Sequence, residues 1–329
     1  MRFPLFLLTF VLLQLTPLQA QNYRIAFWNV ENLYDTINDP AINDEEFLPG
    51  AKNAWTSARY VTKLNNLSDI ILDMNEGKGP SILGMAEVEN RKVLEDLTTK
   101  TKLKKQKYGI VHHNSRDKRG IDVALIYKKK DFRVLTSYTV PVAGWADTAY
   151  PTRDILLVKG ILGKTDTLFV MVNHWPSRRG GEQESGPKRM LAAKTLQRLC
   201  DSLKAINAGS RIIALGDFND EPTDASLKTV VSLQNKMDSI KNSGDGTHYY
   251  KKEKSVLDQI LVSQTLTGGT TLKCGTAYIF KQDRLFAEVY KGDGPSPKRT
   301  WAGSRYIGGY SDHLPVYIDI SRIAVKGTK

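Results

Sequence analysis

Short apolar runs closed by an amide, a carboxylate or an imidazole recur along this chain. Ile25-Ala26-Phe27-Trp28 ends in Asn29 and Glu31. Ile82-Leu83-Gly84-Met85-Ala86 ends in Glu87, and Leu168-Phe169-Val170-Met171-Val172-Asn173 ends in His174. Ile212-Ile213-Ala214-Leu215-Gly216 leads into Asp217 and Asn219, while Asp312-His313 opens Leu314-Pro315-Val316-Tyr317-Ile318. Similar runs cover residues 123–127, 155–158 and 256–262. All are short, rich in β-branched residues and bounded by Gly, Pro, Asn or Asp, as buried strands are. Laid side by side, such strands bring their polar ends to one rim.

Helical spacing is rarer. Residues 57–74 place Val61, Leu64, Leu67, Ile71 and Met74 three and four apart, with Gly77 as a stop. Residues 187–206 turn Leu191, Leu196, Leu199 and Leu203 inward, and a shorter helix is expected over 91–100. Strands outnumber helices and do not alternate with them. The pattern therefore predicts an α+β fold, a four-layer α/β/β/α sandwich of two packed mixed β-sheets flanked by helices. No repeat, linker or shift in composition divides it. Loops over residues 35–54 and 291–309 are expected beside the rim, where loops handle substrate.

The first segment reads differently. Arg2 precedes an uncharged, Leu- and Phe-rich stretch that closes on Leu18-Gln19-Ala20. Its apolar core is short for a bilayer span, so residues 1–20 read as a secretory signal peptide and residues 21–329 as one catalytic domain. The expected product is exported, periplasmic or secreted, monomeric, and without stable membrane insertion once the signal is cleaved. A net charge of +12 favours polyanionic partners, nucleic acid first. The basic runs over 128–130 and 251–254 read as solvated faces. Cys200 and Cys274 match no zinc spacing, and Cys200 lies within a helical pattern.

The rim residues suit metal-assisted phosphoester hydrolysis. Glu87 and Asp312 offer hard oxygen ligands for a divalent cation, with Asn29 nearby. In Gly216-Asp217-Phe218-Asn219 the Gly allows a tight turn, and the alternation turns Asp217 and Asn219 the same way. Asp217 is then placed to orient or deprotonate water, and Asn219 to donate to a phosphate oxygen. His313 needs a carboxylate to fix its tautomer, and Asp258, an acid inside an apolar run, is the candidate. His174 precedes the basic, Gly-rich stretch Trp175-Pro176-Ser177-Arg178-Arg179-Gly180-Gly181, which suits phosphate contact through Arg178. Arg91, just beyond Glu87, fits a second phosphate contact, whereas Arg153 suits a salt bridge equally well. His112, His113 and His248 read as surface or turn residues.

These motifs resemble the endonuclease/exonuclease/phosphatase superfamily, which includes DNase I and the abasic-site endonucleases. The matching stretches are Phe27-Trp28-Asn29-Val30-Glu31-Asn32-Leu33, Glu87-Val88-Glu89-Asn90, Asn173-His174-Trp175, Gly216-Asp217-Phe218-Asn219, Leu257-Asp258-Gln259-Ile260 and Ser311-Asp312-His313-Leu314-Pro315-Val316. Each is weak alone; the ordered set spans nearly the whole chain. The first two resemble the extracellular bacterial nuclease branch in particular. The resemblance implies Mg²⁺ or Mn²⁺ at Glu87 with Asn29 and Asp312 close by. It pairs His313 with Asp258, gives Asp217 and Asn219 the water and phosphate, and makes His174 a second acid or phosphate donor. Gln259 stands where the family often has Tyr, which puts substrate contacts there in question. The expected activity is a nuclease. A phosphatase or phosphodiesterase of inositol phosphates, lipid head groups or other small phosphoesters is the alternative. A non-catalytic binding module is disfavoured because no expected acid or histidine is missing.

Overall fold

The computed structural model describes residues 21–142, 152–250, 253–287, 294–303 and 305–323. The expected signal segment, and Lys251 and Lys252 of the second basic run, lie outside these described residues.

In chain order the strands begin with β1 (Asn22–Leu33), β2 (Ile82–Val88), β3 (Tyr108–His112) and β4 (Asp122–Lys128). Next come β5 (Phe132–Val140), β6 (Ile155–Leu162), β7 (Asp166–His174), β8 (Ile212–Asp217) and the short β9 (Gln234–Asn235). A hairpin of β10 (His248–Tyr250) and β11 (Glu253–Ser255) precedes β12 (Asp258–Val262) and β13 (Leu272–Ile279). A second hairpin, β14 (Trp301–Ala302) and β15 (Arg305–Tyr306), leads to β16 (Val316–Arg322).

Two six-stranded sheets result, ordered β13-β16-β1-β2-β4-β3 and β5-β6-β7-β8-β12-β9. Each holds a central parallel pair, β1–β2 and β7–β8, among antiparallel neighbours. Parallel strands end on the same side, so Asn29 and Glu87 leave one sheet where His174 and Asp217 leave the other. β12 and β16 run against them and begin at that same side.

The alternation in each strand sorts residues between layers. Phe27, Leu125, Val158, Val170, Val172, Leu215, Ile260 and Ile318 fill the space between the sheets. Ala26, Trp28, Leu83 and Met85 face outward beneath α1 (Ser57–Asp73) and α2 (Arg91–Thr99). Met171, Ile212, Ala214 and Leu261 meet α3 (Glu182–Ile206) on the opposite outside. The order of layers is thus α/β/β/α. Gly84 marks the tightest approach of the sheets: a Cβ there would come within 2.2 Å of Leu215 Cδ1.

Two local expectations change. Val61 is 52% exposed, and Tyr60 takes its place on the inner face of α1. α3 starts at Glu182, five residues before the Pro that a helix start favours, and Pro187 lies inside it. Cys200 lies on the buried face of α3, whereas Cys274 lies in the core between the sheets; both are free thiols.

Candidate active site

The strand ends close around a cavity of about 390 Å³ lined by Glu87, Arg119, His174, Arg178, Asp217, Asn219, Asp312 and His313, with the β10–β11 hairpin as one wall. Left-handed backbone turns several of these groups into place. Glu31, Asn32, Glu87 and Asn219 have φ between 51° and 61°, four of the seven such non-glycine residues among those described. At Glu87 the conformation coincides with a register shift in β2 against both neighbours. Side chains hold this backbone: Asn32 N–H donates to Glu87 Oε2 at 3.0 Å, and Asn219 N–H donates to Asp217 Oδ1 at 2.9 Å. Strained conformations persist where surroundings over-determine them, characteristically at functional sites.

Asp217 occupies the middle. His174 Nε2 and His313 Nε2 each lie 3.7 Å from its Oδ2, and Asn29 Nδ2 donates to the same oxygen at 3.1 Å. Asp258 opposes Asp217 across β8 and β12, and its Oδ2 bonds His313 Nδ1 at 2.8 Å. Ser311 fixes the turn before β16: its hydroxyl donates to Asn29 O at 2.6 Å and accepts from His313 N–H at 3.0 Å. Trp28 Nε1–H then donates to His313 O at 2.9 Å.

Behind the acids runs a partly buried ionic network. Arg299 bonds Glu31 at 2.9 Å and Asp312 at 3.0 Å, while Thr300 N–H also donates to Glu31. Lys63, buried on α1, donates to Thr300 Oγ1 and Tyr310 O, both at 2.6 Å. The polar face of α1 thereby anchors the loop that delivers Arg299 to Asp312.

Burial and charge set the protonation states. Burial pushes the Asp217 carboxyl up to about 7, assisted by Asp258 and opposed by His313. Glu31 also rises to about 7 through burial and the nearby Asp312. Burial brings Lys63 down to about 8 although Glu31 and Asp312 act the other way. Burial opposes the charge on His313, but Asp258 and Asp217 outweigh it and hold the imidazole well above its ordinary range. His174 goes well below it, through burial first and then the charges of Arg153, Arg119 and His313. At neutral pH one histidine is cationic and the other neutral.

The expected residues meet with differences in detail. Asp217, Asn219, Asp258, His174 and His313 form one cluster. Asn29 joins it through its amide nitrogen, while its oxygen accepts from Glu31 N–H at 3.0 Å. Its Nδ2 bridges Asp217 Oδ2 at 3.1 Å and Glu87 Oε1 at 3.4 Å. Asn219 gives one amide hydrogen to Trp175 O at 3.0 Å and keeps another for a ligand. Arg178 lines the cavity, but Asn219 O, Asp220 and Asp224 take its donors, so it braces the Asn219 turn. Arg91 is not in the cavity wall; it pairs with Glu95 one turn along α2. Arg119 stands in the wall instead. Arg153 is a buried strut to Asp117 and Trp175 O, and Gln259 is buried on Asp220 O and Val256 O. Gly216 makes no turn: it lies within β8, and a Cβ would strike Asn173 O at 2.2 Å.

Besides Arg119 and Arg299, two residues escaped the sequence reading. His248 packs against His313 with ring centroids 4.9 Å apart and the planes tilted by 44°, and burial, with His313, brings it down to about 4. Lys63 interrupts an amphipathic helix where a cation looks solvated. Neither sits in a spacing that announces it; both are defined by partners far along the chain.

Among the described residues, ligand atoms of His248, Asp312 and His313 lie within 4.8 Å of one another, as do those of Asp217, Asp258 and His313. A third group, Glu182, Asp220 and Asp224, surrounds Arg178. Glu87 belongs to none of the three. No helix among the described residues is long and apolar enough to cross a membrane.

Two mixed sheets between helices, with acids and imidazoles at one rim, define the DNase I-like class of sandwich. The family model for the endonuclease/exonuclease/phosphatase family matches residues 24–322, and the chain belongs to that family. Its members are typically phosphoester hydrolases and generally depend on a divalent metal. A Bacteroides thetaiotaomicron endonuclease/exonuclease/phosphatase family protein superposes with a TM-score of 0.59 at 15% identity, covering 93% of this chain and 100% of its own. The human nocturnin catalytic domain, with bound sulfate, gives 0.56 at 18% identity over 93% and 98%. D. rerio TDP2 complexed with a single-strand DNA product gives 0.52 at 15% identity over 91% and 98%. At these identities the likeness is one of fold. No curated protein matches the chain.

Proposed function

We propose that this chain is an exported, divalent-metal-dependent phosphodiester hydrolase that cleaves nucleic acid. The observation that carries the reading is Asp217, held between His174 and His313 at 3.7 Å each, in the same cavity as Glu87 and Asp312. Family membership supports the phosphoester class, and the net charge of +12 supports a polyanionic substrate.

The donor set fits a hard cation. Glu31, Glu87, Asp217, Asp258 and Asp312 gather five carboxylates around Lys63, Arg299 and protonated His313, leaving negative charge in excess. Glu87 and Asp312, which both reach the cavity, would hold Mg²⁺ or Mn²⁺ through oxygen. When bound, the ion supplies positive charge against the phosphate and its departing oxygen.

The chain's own groups do the rest. Asn219 and the His313 Nε2–H donate to non-bridging phosphate oxygens as charge builds. Asp258 keeps His313 charged and aimed. Asp217, with its carboxyl near neutrality, accepts a proton from the attacking water, where a base is most effective. The new water–phosphorus bond forms as the opposite phosphorus–ester oxygen bond breaks, and the leaving oxygen takes up a proton from solvent. His174, neutral, offers Nε2 from the far side of Asp217. Export follows from the reading of residues 1–20.

A substrate panel tests this reading: single-stranded oligonucleotide, bis(p-nitrophenyl) phosphate and p-nitrophenyl phosphate. Turnover of both diesters above the monoester supports it. Preference for the monoester replaces it with a small-phosphoester phosphatase on the same rim.

A further inference from the structure

The β10–β11 hairpin has two faces, and only one belongs to the catalytic cavity. In an antiparallel ribbon, opposed residues share a face and successive residues alternate. His248 opposes Ser255 and Tyr250 opposes Glu253, and these four line the catalytic cavity. Tyr249 opposes Lys254, and both line a second depression of about 590 Å³ on the other side, completed by Lys281, Asp283, Phe286 and Pro295 among others. A single two-stranded ribbon is the partition.

The second depression has its own chemistry. The Tyr249 and Phe286 rings stand 6.0 Å apart, tilted by 46°. The Tyr249 hydroxyl donates to Asp245 at 3.2 Å, which fixes the ring from its far end. Lys281 pairs with the same Asp245. Lys254 is exposed and has no carboxylate partner among the described residues; its Nζ lies 5.3 Å from the centre of the Tyr249 ring. A fixed aromatic face carrying a displaceable cation suits a base and its phosphate.

We propose that this depression is a second substrate subsite, taking a base of a single-stranded nucleic acid whose scissile phosphate lies in the catalytic cavity. The inference rests on the nuclease reading above and names the form of nucleic acid. Every base has a π-face that an aromatic side chain can stack on, and stacking is sequence-tolerant. In a duplex those faces are already stacked on neighbours. The two depressions lie on opposite faces of the ribbon, so a strand that occupies both must pass around it, a path longer than the reach from a phosphate to its adjoining base. A dinucleotide therefore cannot fill both sites, whereas a longer strand can.

The test uses the full chain, its Tyr249→Ala, Lys254→Ala and Tyr249→Trp variants, and a fluorescent DNA single strand of about eight nucleotides, within the range of site sizes of single-strand-binding grooves. Binding is read by anisotropy in EDTA. Turnover is read on the same strand, on a dinucleotide and on bis(p-nitrophenyl) phosphate. Both alanine variants should weaken binding and lower kcat/KM on the long strand, Tyr249→Ala by at least about fivefold. The dinucleotide and the small diester should be unaffected, and Tyr249→Trp should retain wild-type values. Equal losses on all three substrates would show that the hairpin only supports the catalytic wall, and would overturn the subsite. Unchanged binding of the long strand would overturn it too, whether or not the strand is cleaved. A wild-type chain that hydrolyses the small diester but neither binds nor cuts the strand would refute the nuclease reading itself, and the subsite with it.

Discussion

Asp258→Asn separates charge from shape at the centre of the site. Asp258 is fully buried, its Oδ2 lies 2.8 Å from His313 Nδ1, and its other oxygen has no hydrogen-bond partner. At an effective dielectric constant near 20, two unit charges at about 2.8 Å attract by roughly 6 kcal/mol before desolvation is subtracted. Truncating one partner of such a buried pair costs about 3–5 kcal/mol when the other charge is stranded. Asparagine strands it less, because a neutral imidazole can still donate Nδ1–H to the amide oxygen. The variant should therefore fold, with a stability loss of about 1–3 kcal/mol. Activity should fall further. A comparable Asp→Asn change behind a catalytic histidine elsewhere costs about 10⁴ in kcat through loss of the correct tautomer, so a fall of about 10²–10⁴ is expected here. The assay is kcat on bis(p-nitrophenyl) phosphate beside a thermal melt. A variant with wild-type kcat would refute the pairing as a functional unit. One that loses activity only in proportion to unfolding would reduce Asp258 to a packing residue.

Three further outcomes follow from the geometry. His174 is neutral in the fold and titrates near 6.5 when unfolded, so the unfolded chain binds the extra proton. Its contribution is complete above that value and is lost as pH falls below it, by up to about 2 kcal/mol at pH 5. The melting temperature of wild type should thus drop more between pH 7 and pH 5 than that of His174→Gln, and parallel curves would contradict the assignment. Arg119→Ala should raise KM for an oligonucleotide several-fold while Arg91→Ala leaves it alone, because only Arg119 lines the cavity; the reverse order would count against the cavity as the phosphate site. Gly84→Val should destabilise by about 1–3 kcal/mol or more, since its Cβ alone meets Leu215 at 2.2 Å. A melt unchanged by that substitution would mean that the sheets can part there.

Much of this arrangement was legible because it is written at strand ends. An apolar run followed by a polar residue shows both the strand and which residue leaves it. Two parallel pairs then oblige Asn29, Glu87, His174 and Asp217 to meet. The order of layers followed from strands that outnumber helices. What escaped depends on contacts between distant segments. Lys63 is buried only because Thr300 and Tyr310 lie over α1. His248 enters the cavity only because its hairpin pairs with His313, ahead of β16. Arg178 looked available until Asp220 and Asp224 were seen to occupy it. The direction of the Asn29 amide is set by Glu31 N–H, a backbone detail invisible in residue type. Gly216 was read as a turn because glycine is common there, whereas the actual constraint is the neighbouring strand.

The most direct test of the central claim is nicking of circular single-stranded DNA by the purified chain from Gln21 onward, in Mg²⁺, in Mn²⁺ and in EDTA. Glu87→Gln and His174→Ala are run alongside. The account predicts metal-dependent nicking that EDTA abolishes and that both substitutions reduce by orders of magnitude. Nicking that survives in EDTA, or that His174→Ala leaves intact, would contradict it.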